Sequence, residues 1–489
     1  MSSIIKNKVL RELFHRKSFI ISLAILIFFV IIATIGPMMT PYKNPYSASE
    51  YYVAGPYSVP SWASMFPQYK YYPPDIKNLQ ISANQFVGNG TYQQYNESYY
   101  VVYLNPGEEE NVSYVFLWNY TEPYTFSFSL NVIPYTKGGV QVNVYMINST
   151  GYRFFLLRYV PEQDLIYYFS GACPIKLNSV NNLVISPTTL TSLNSPYVGS
   201  LSYRDQILFP ILFPLETLDK PGKIVIQLSV INVGNYPAKV LVSKVNFSDL
   251  GYRYGLLGTD QNGASVFAEY VIGARFDLEL SLLASVIIVG IGLIIGLVAG
   301  YVGGIVDLIL NSITDFFLTI PGLPLIIALE TVLIISGAIL KVSKAVLILL
   351  IISGLSWMAT MKIIRSVTMS LRNRTFVEAS RAMGAGSLYI IRKHILPNIL
   401  GVVFAQIAYD VPVVILTESG LDFLGLGITS FPTWGNMLGF ATDAASTANS
   451  FAWWWVLPPG LSIVLLSVAF YYIGTAIQDV LSPYKVRGE

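Results

Sequence analysis

"RTFVEASRAMGAGSLYIIRKHILPN", residues 374–398, is a charged helical pattern rich in Ala and Gly that lies between two long apolar runs. Thr375 followed three residues later by Glu378 is a capping-box signature and predicts a helix start. Phe376, Ala379, Ser380 and Met383 then fall on one face, at i, i+3, i+4 and i+7. Gly384 is placed to be the left-handed residue that ends this helix. After Ala385 and Gly386, Ser387 is placed to cap a second helix running to Leu396, with Leu388, Ile391 and Ile395 on one side. Pro397 either ends that helix or opens the next span. The expectation is two short helices set at an angle across a glycine turn. Small residues let a foreign backbone approach closely, and Phe376 and Met383 supply an apolar plug. Periodicity leaves two readings open: an amphipathic helix lying on a membrane, or a plug for another protein.

The surrounding composition is that of a membrane protein. Of 489 residues, 53% are hydrophobic and only 12% charged, about half the charged share of a soluble domain. Mean hydropathy is +0.54. The net charge of +2 makes no electrostatic case for nucleic acid. The single Cys173 excludes an intrachain disulfide, and two histidines make a Cys/His metal site improbable, so none is expected. No phosphate-cradling G-x-x-x-x-G-K-[ST] loop is present: Gly222-Lys223 is followed by Ile224 and lacks the earlier glycine. No nucleophile elbow, HExxH or catalytic pair stands out, so no catalytic residue is expected. If ATP drives this protein, another polypeptide hydrolyses it.

Six apolar runs are long enough to span a bilayer, at 18–36, 280–300, 316–338, 345–361, 398–418 and 456–477. Arg16 and Lys17 before the first run also fit a secretory signal, but the run is long and lacks a small-x-small exit before Pro37. It reads as a retained span. Lys6, Lys8, Arg11, Arg16 and Lys17 flank it. Lys362, Arg365, Arg372, Arg374, Arg381, Arg392 and Lys393 lie between spans four and five, and Lys485 and Arg487 lie in the tail. The positive-inside rule then places both termini and the opening stretch in the cytosol of a multi-pass plasma-membrane protein, with 37–279 outside.

The outer region reads as β. "YTFSFSLNV" (124–132), "VQVNVYM" (140–146) and "KIVIQLSV" (223–230) alternate apolar and polar residues with period two. The expected division is 1–46 (N-terminus and first helix), 47–253 (an all-β, sandwich-like extracellular domain inserted between helices one and two) and 254–489 (helices two to six, with a cytoplasmic loop at 365–398). Asn89, Asn96, Asn111, Asn119, Asn148 and Asn246 begin N-x-[ST] sites and are candidate glycosylation acceptors, which would make the chain a glycoprotein. Asn373 fits the pattern but lies on the inner side. High Tyr, Asn and Ile use with outward sequons is compatible with an archaeal cell surface.

The opening stretch resembles the EAA loop of ABC-importer permease subunits of the dipeptide/oligopeptide/nickel type. The family pattern, Glu-Ala-Ala, then Gly, then His-Ile-Leu-Pro-Asn, is met here by Glu378-Ala379-Ser380, Gly384 and His394-Ile395-Leu396-Pro397-Asn398. "SWMATMKIIRS" (356–366), "TESGLDFLGLGITSFPTWGNML" (417–438), "PGLSIVLLSVAFYYIGTAIQDVLSP" (459–483), "GPMMTPYKNPY" (36–46) and "GTDQNGASVFAEYVIGAR" (258–275) are similar to further family segments. The resemblance implies an all-α polytopic domain of six transmembrane helices, like a type I ABC importer. It implies a coupling helix, formed by Phe376, Glu378, Ala379, Ser380, Arg381, Ala382, Met383, Gly384, His394 and Pro397, that inserts into a separate ATPase subunit. The implied partners are a second homologous permease, two ABC ATPases, an extracellular solute-binding protein and membrane lipid. This chain would bind no cofactor, with ATP and Mg used by the partner ATPases. The implied cargo is a peptide or oligosaccharide; nickel is disfavoured by the scarcity of His and Cys. The chain departs from the pattern at Ala264-Ser265 and Ala268-Glu269, where the family carries cations, and in the long β insertion.

Gly292, Gly296 and Gly300 recur four apart and predict close helix packing. Asp410, two residues before Pro412, is an intramembrane carboxylate, and with Gln406 and Tyr409 it is the candidate lining of a translocation path. Pairing with a partner subunit is the alternative. Glu330 and Glu418 are expected near the interface, and Trp453, Trp454 and Trp455 in an aromatic belt. Two rival functions stay open: a surface receptor or adhesion protein anchored by its spans, and a permease homologue that does not transport.

Overall fold

The computed structural model describes residues 11–481 apart from 136–138, 161–164, 168–174, 177–181, 193–195, 200, 336–342, 429 and 449–450. The chain forms two compact units, Met1–Glu50 with Val266–Glu489, and Tyr51–Ser265. The first helix, α1, is Lys17–Met39.

In the second unit the strands are β1 (Leu79–Ile81), β2 (Ala83–Gly88), β3 (Thr91–Gln94), β4 (Tyr99–Leu104), β5 (Glu109–Trp118), β6 (Thr125–Pro134), β7 (Val140–Ile147) and β8 (Arg153–Val160). They continue as β9 (Leu165–Tyr167), β10 (Ile175–Lys176) and β11 (Asn182–Ile185). Helices α2 (Pro187–Ser192), α3 (Pro196–Gly199) and α4 (Tyr203–Thr217) precede β12 (Gly222–Asn232), β13 (Ala238–Ser243) and β14 (Val245–Leu250). One sheet runs β1-β14-β6-β13-β4-β3, with β11 also on β6; the other runs β10-β9-β8-β7-β12-β5-β2. Period-two alternation decides the buried face: Phe126, Phe128, Leu130 and Val132 of β6 are buried while the residues between them are half-covered. Leu228 of β12 lies opposite Val112 of β5 and Val144 of β7. These residues share one core with Phe128, Val132, Val240 and Phe247 of the other sheet. Each such side chain contributes about 2 kcal/mol of burial. Phe213 of α4 stacks on Phe126 at 5.7 Å and closes one side.

This unit ends later than the sequence suggested. The Gly258-Thr259-Asp260 element folds back onto residues 55–58, Thr259 Oγ1 donating to the Gly55 carbonyl at 2.6 Å and accepting from the Ser58 amide at 2.8 Å. Asp260 Oδ1 accepts from the Asn262 and Ala264 amides at 2.8 and 2.7 Å, closing a polar turn. The boundary therefore falls at Ser265, not at Arg253. Nearby, Asp249 is buried and accepts from the Ile76 amide at 2.7 Å. Burial, with the charge of Asp75 adding to it, pushes its carboxyl up to about 7.

The helical unit continues with α5 (Val266–Val302), α6 (Gly304–Thr319), α7 (Gly322–Ile335), α8 (Lys344–Arg372), α9 (Thr375–Ala382), α10 (Ser387–Ile390), α11 (Leu396–Phe423), α12 (Trp434–Ala448) and α13 (Trp453–Leu481). Among the described residues five helices are long and apolar enough to cross a membrane: α1, α5, α8, α13 and the run Ser387–Phe423. A sixth candidate is the pair α6–α7, bent by 83°. The expected third span, 316–338, is thus broken within the described residues. Ile320 is extended, at φ −79° and ψ 127°, because it precedes Pro321, which disfavours the helical region and supplies no amide donor.

Glycine spacing lets α5 and α8 pack closely. A Cβ on Gly292 would lie 2.9 Å from Thr360 Cβ, one on Gly296 2.8 Å from the Met361 carbonyl oxygen, and one on Gly300 2.7 Å from that of Arg365. Only hydrogen fits between α5 and α8. Arg372, at the end of α8, donates to the Tyr301 and Val302 carbonyls at 3.1 and 3.2 Å. This satisfies carbonyls that the end of α5 leaves free. Arg16 before α1 meets Asp479 near the end of α13 at 2.7 Å, and Gly401 of α11 packs on Leu481. The starts of α1 and α11 therefore share one end of the unit with the ends of α5, α8 and α13.

Candidate functional site

The stretch 374–398 forms an elbow at that end. The helix α9 begins one residue earlier than the capping box implied: Arg374, extended at φ −85° and ψ 146°, occupies the cap position without a side-chain bond. Thr375 therefore lies in the first turn, where its hydroxyl cannot cap. The helix stops as expected. Gly384 has φ +82°, its amide donates to the Arg381 carbonyl at 3.0 Å, and the Ala385 amide donates to that of Ser380 at 3.1 Å. This is the paired bonding of a Schellman termination.

The second arm differs from the expectation. Gly386, not Ser387, holds the cap position, and of the two roles left open for Pro397 it is the opening of the next span that holds. A single π-helical turn, Ile391–Ile395, joins α10 to α11. Pro397 falls in the first turn of α11, where a missing amide is tolerated. Asn398 Nδ2 donates to the His394 carbonyl at 2.6 Å.

Burial sorts the elbow into two sides. Val377, Ile390, Ile395 and Ile399 are buried with Tyr301 and Ile364 in one cluster. Facing away, Phe376 is 40% exposed, Met383 80%, Leu388 78% and Tyr389 56%. Four large apolar side chains thus stand on an elbow whose other side is packed into the bundle. Glu378, Ala379, Arg381, Ala382 and Pro397 are exposed as well. Ser380 leaves the face assigned to it: it turns inward, and its Oγ lies 3.0 Å from His394 Nε2. Leu388 and Tyr389 were not anticipated in the plug. Periodicity places Leu388 with Ile391 and Ile395 but cannot say which side meets the core.

The cations leading into the elbow are engaged. Arg365 grips Asp307 of α6 with Nε and Nη2, the latter at 2.6 Å from Oδ2, and Lys362 pairs with Asp315. The lead-in of α8 is thereby braced against the first half of the bent pair.

Of the proposed path residues, the structure brings Gln406 and Asp410 together and separates Tyr409. Asp410 Oδ2 accepts from Thr360 Oγ1 of α8 at 3.1 Å, and Gln406 is buried one turn earlier. Tyr409 instead faces α13, donating to Gln478 Oε1 at 3.0 Å and packing on Gly474. Glu418 is not interfacial: it is 1% exposed and interacts with the equally buried Asp277 and Asp422. The Trp434 amide donates to Asp277 Oδ2 and the Ile428 amide to Asp422 Oδ1, both at 3.0 Å, fastening the segment after α11. Carboxylates at 418 and 422, one turn apart in an apolar run, were the legible sign. Trp454 and Trp455 are also buried rather than in a belt, and Trp455 Nε1 donates to Glu269 Oε2 at 2.9 Å. An otherwise costly internal carboxylate recruits that donor.

Asn89, Asn96 and Asn119 are exposed, while Asn111 and Asn246 are half-buried within strands. Asn148 departs from the expectation. It is 8% exposed, its Nδ2 donates to the Glu216 carbonyl at 3.1 Å, and its Oδ1 accepts from Thr150 and Tyr152. Among the described residues no group of three or more His, Cys, Asp or Glu could hold a metal ion.

A bundle of apolar helices with an apolar-tipped elbow at one end is an arrangement that suits a transport permease, and the family match gives that class. Residues 292–486 match the family described as the binding-protein-dependent transport system inner membrane component. Residues 7–56 match the N-terminal transmembrane domain of oligopeptide transport permease C. The dipeptide transport system permease DppC of Bacillus subtilis is 36% identical over 231 residues, covering 47% of this chain and 68% of that one. A putative peptide permease of Brucella suis is 35% identical over 46% of this chain and 72% of its own. The oligopeptide permease OppC of Haemophilus influenzae is 33% identical over 47% and 70%. The chain belongs to this family, the membrane permease subunits of ABC importers of the peptide class. Its relatives are transport subunits, not enzymes, and ATP hydrolysis occurs in separate ATPase subunits.

Proposed function

We propose that this chain is one of two permease subunits of a peptide importer. It forms half of the translocation path with a homologous partner, above two ATPases and below an extracellular solute-binding protein. The observation that carries the reading is the quartet Phe376, Met383, Leu388 and Tyr389, exposed on an elbow whose inner side is packed into the bundle. An apolar knob held this firmly suits insertion into a cleft of an ATPase subunit, whose closure then rocks the spans. Neither arm of the elbow carries catalytic chemistry; the chain transmits force. Phe376→Asp or Gly384→Trp is expected to abolish ATPase association in purified complexes and to stop uptake. Normal association and uptake would overturn the reading.

Peptides are the proposed cargo because the relatives are named as dipeptide and oligopeptide permeases; competition of labelled-peptide uptake by oligosaccharides tests the alternative. The proposed topology has six crossings with both termini and the elbow cytoplasmic. Because α5 and α8 both end beside the elbow, residues 303–343 must return to the opposite side, which gives the bent pair the role of the third crossing. The unit 51–265 joins α1 and α5 at their ends away from the elbow, and is read as an extracellular platform for the binding protein. Asn89, Asn96 and Asn119 are its proposed glycan acceptors. Gln406 and Asp410 are proposed to line the path; Asp410→Leu should cut uptake while leaving assembly intact.

A further inference from the structure

The glycine turn of the elbow is a poor determinant of the angle between its arms. Gly384 lies at φ +82° with nothing within 4 Å of where a Cβ would stand, and Gly386 is equally open. The Schellman bonds end α9 without fixing the direction of the second arm. Across this turn Ser380 Oγ meets His394 Nε2 at 3.0 Å. Ser380 is 5% exposed, and the imidazole is flanked by the rings of Phe376 at 6.2 Å and Tyr389 at 5.9 Å. Both of those rings belong to the exposed knob. A hydroxyl can donate or accept, so the bond forms with either imidazole tautomer. His394 sits in the π-turn that runs without interruption into α11. Force applied to the knob therefore reaches α11 by three routes, the glycine turn, the packing of Val377 with Ile390 and Ile395, and this bond; the bond is the directional one, and it resists a change of angle that apolar side chains can follow by sliding.

We propose that Ser380 and His394 are positioning residues that lock the elbow at one angle, so that movement of α9 is delivered to α11 instead of being absorbed at Gly384. The inference rests on the coupling role proposed above. Alanine at position 380 would allow the same close packing but could not reach the imidazole; the hydroxyl is what adds the lock.

The test uses the complete importer in proteoliposomes, with ATP hydrolysis and uptake of a radiolabelled tripeptide measured together. Ser380→Ala and His394→Phe should each lower peptide taken up per ATP by about fivefold, the factor one net hydrogen bond is worth. The double variant should be no worse than either single one, because both remove the same bond. Ser380→Thr, which keeps the hydroxyl, should restore the ratio, and Ser387→Ala should not change it. Spin labels at Thr375→Cys and Arg392→Cys, in a Cys173→Ser background, should show a broader distance distribution once Ser380 is replaced by Ala. An unchanged ratio in Ser380→Ala, with or without broadening, overturns the proposal, as do additive effects in the double variant. Failure of the underlying reading is recognised separately, by Phe376→Asp leaving ATPase association intact.

Discussion

In the β-rich unit the apolar faces of β6, β7 and β12 are buried in one core, and the residues between them lie on the outer faces, where Asn143 and Ser229 are nevertheless covered. In the helical unit α1 buries Phe19, Ser22, Phe29, Ala33 and Gly36 while Ile20, Ile21, Phe28 and Ile31 stay exposed. The first unit buries the apolar faces of its central strands in its own core, though Ile207, Ile211 and Leu215 of α4 stay exposed. The second leaves large apolar side chains bare along its helices, as segments that cross a membrane do. Their internal adhesives differ accordingly. Large interdigitating side chains fill the β core, whereas in the helical unit apolar clusters such as that of Ile288, Ile348 and Val414 are joined by close glycine contacts and a few charge pairs.

That contrast can be broken most directly at the β core. Residues 51–265 expressed alone should be soluble and unfold cooperatively in urea, and Leu228→Ala should cost about 4 kcal/mol. An aggregated or non-cooperative fragment would show that the unit is not self-sufficient.

A pH test sharpens the same point. Because Asp249 has its carboxyl raised to about 7 from 3.8, the fold holds the protonated form more tightly than the unfolded chain does. Its contribution is fully present below about pH 4 and disappears as pH rises through 7, a loss of roughly 4 kcal/mol. Urea midpoints of the fragment across this range should fall with rising pH. Asp249→Asn should flatten the slope; an unchanged slope would assign the effect elsewhere.

For the helical unit the charge brace comes next. Arg365→Met leaves Asp307 without its partner and should lower stability by about 2 kcal/mol in thermal unfolding in detergent. Adding Asp307→Leu should recover most of that loss. The smallest effect is expected at the glycine ridge. Gly296→Ala places one methyl group 2.8 Å from a carbonyl oxygen and should cost about 1 kcal/mol, partly offset by the better helix propensity of alanine. Stabilisation by that change would mean that α5 and α8 can move apart freely.

The strands at 124–132, 140–146 and 223–230 were legible because alternation is a local property, and they correspond to β6, β7 and β12. Their partners were not. That β12 lies between β5 and β7 depends on pairing between segments far apart in the chain, for which no local pattern exists. Apolar runs likewise showed where helices would be, yet hydropathy is blind to the backbone, and Pro321 breaks one run without lowering its apolar character. At the elbow, the positive φ of Gly384 followed from its placement after a periodic segment. The inward turn of Ser380 and the exposure of Leu388 and Tyr389 did not, since a helix only a few residues long presents several plausible faces. The buried cluster of Asp277, Glu418 and Asp422 was missed because Asp277 is remote in sequence and becomes a neighbour of the other two only through folding.

The uninterrupted run Ser387–Phe423 spans 37 residues, about 55 Å of continuous helix. Such a rod has mechanical advantage. Tipping its foot by about five degrees sweeps its far tip through about 5 Å, comparable to the width of an extended peptide backbone. Under the topology proposed above, modest travel at the foot would shift the far end of the rod without any helix having to unwind.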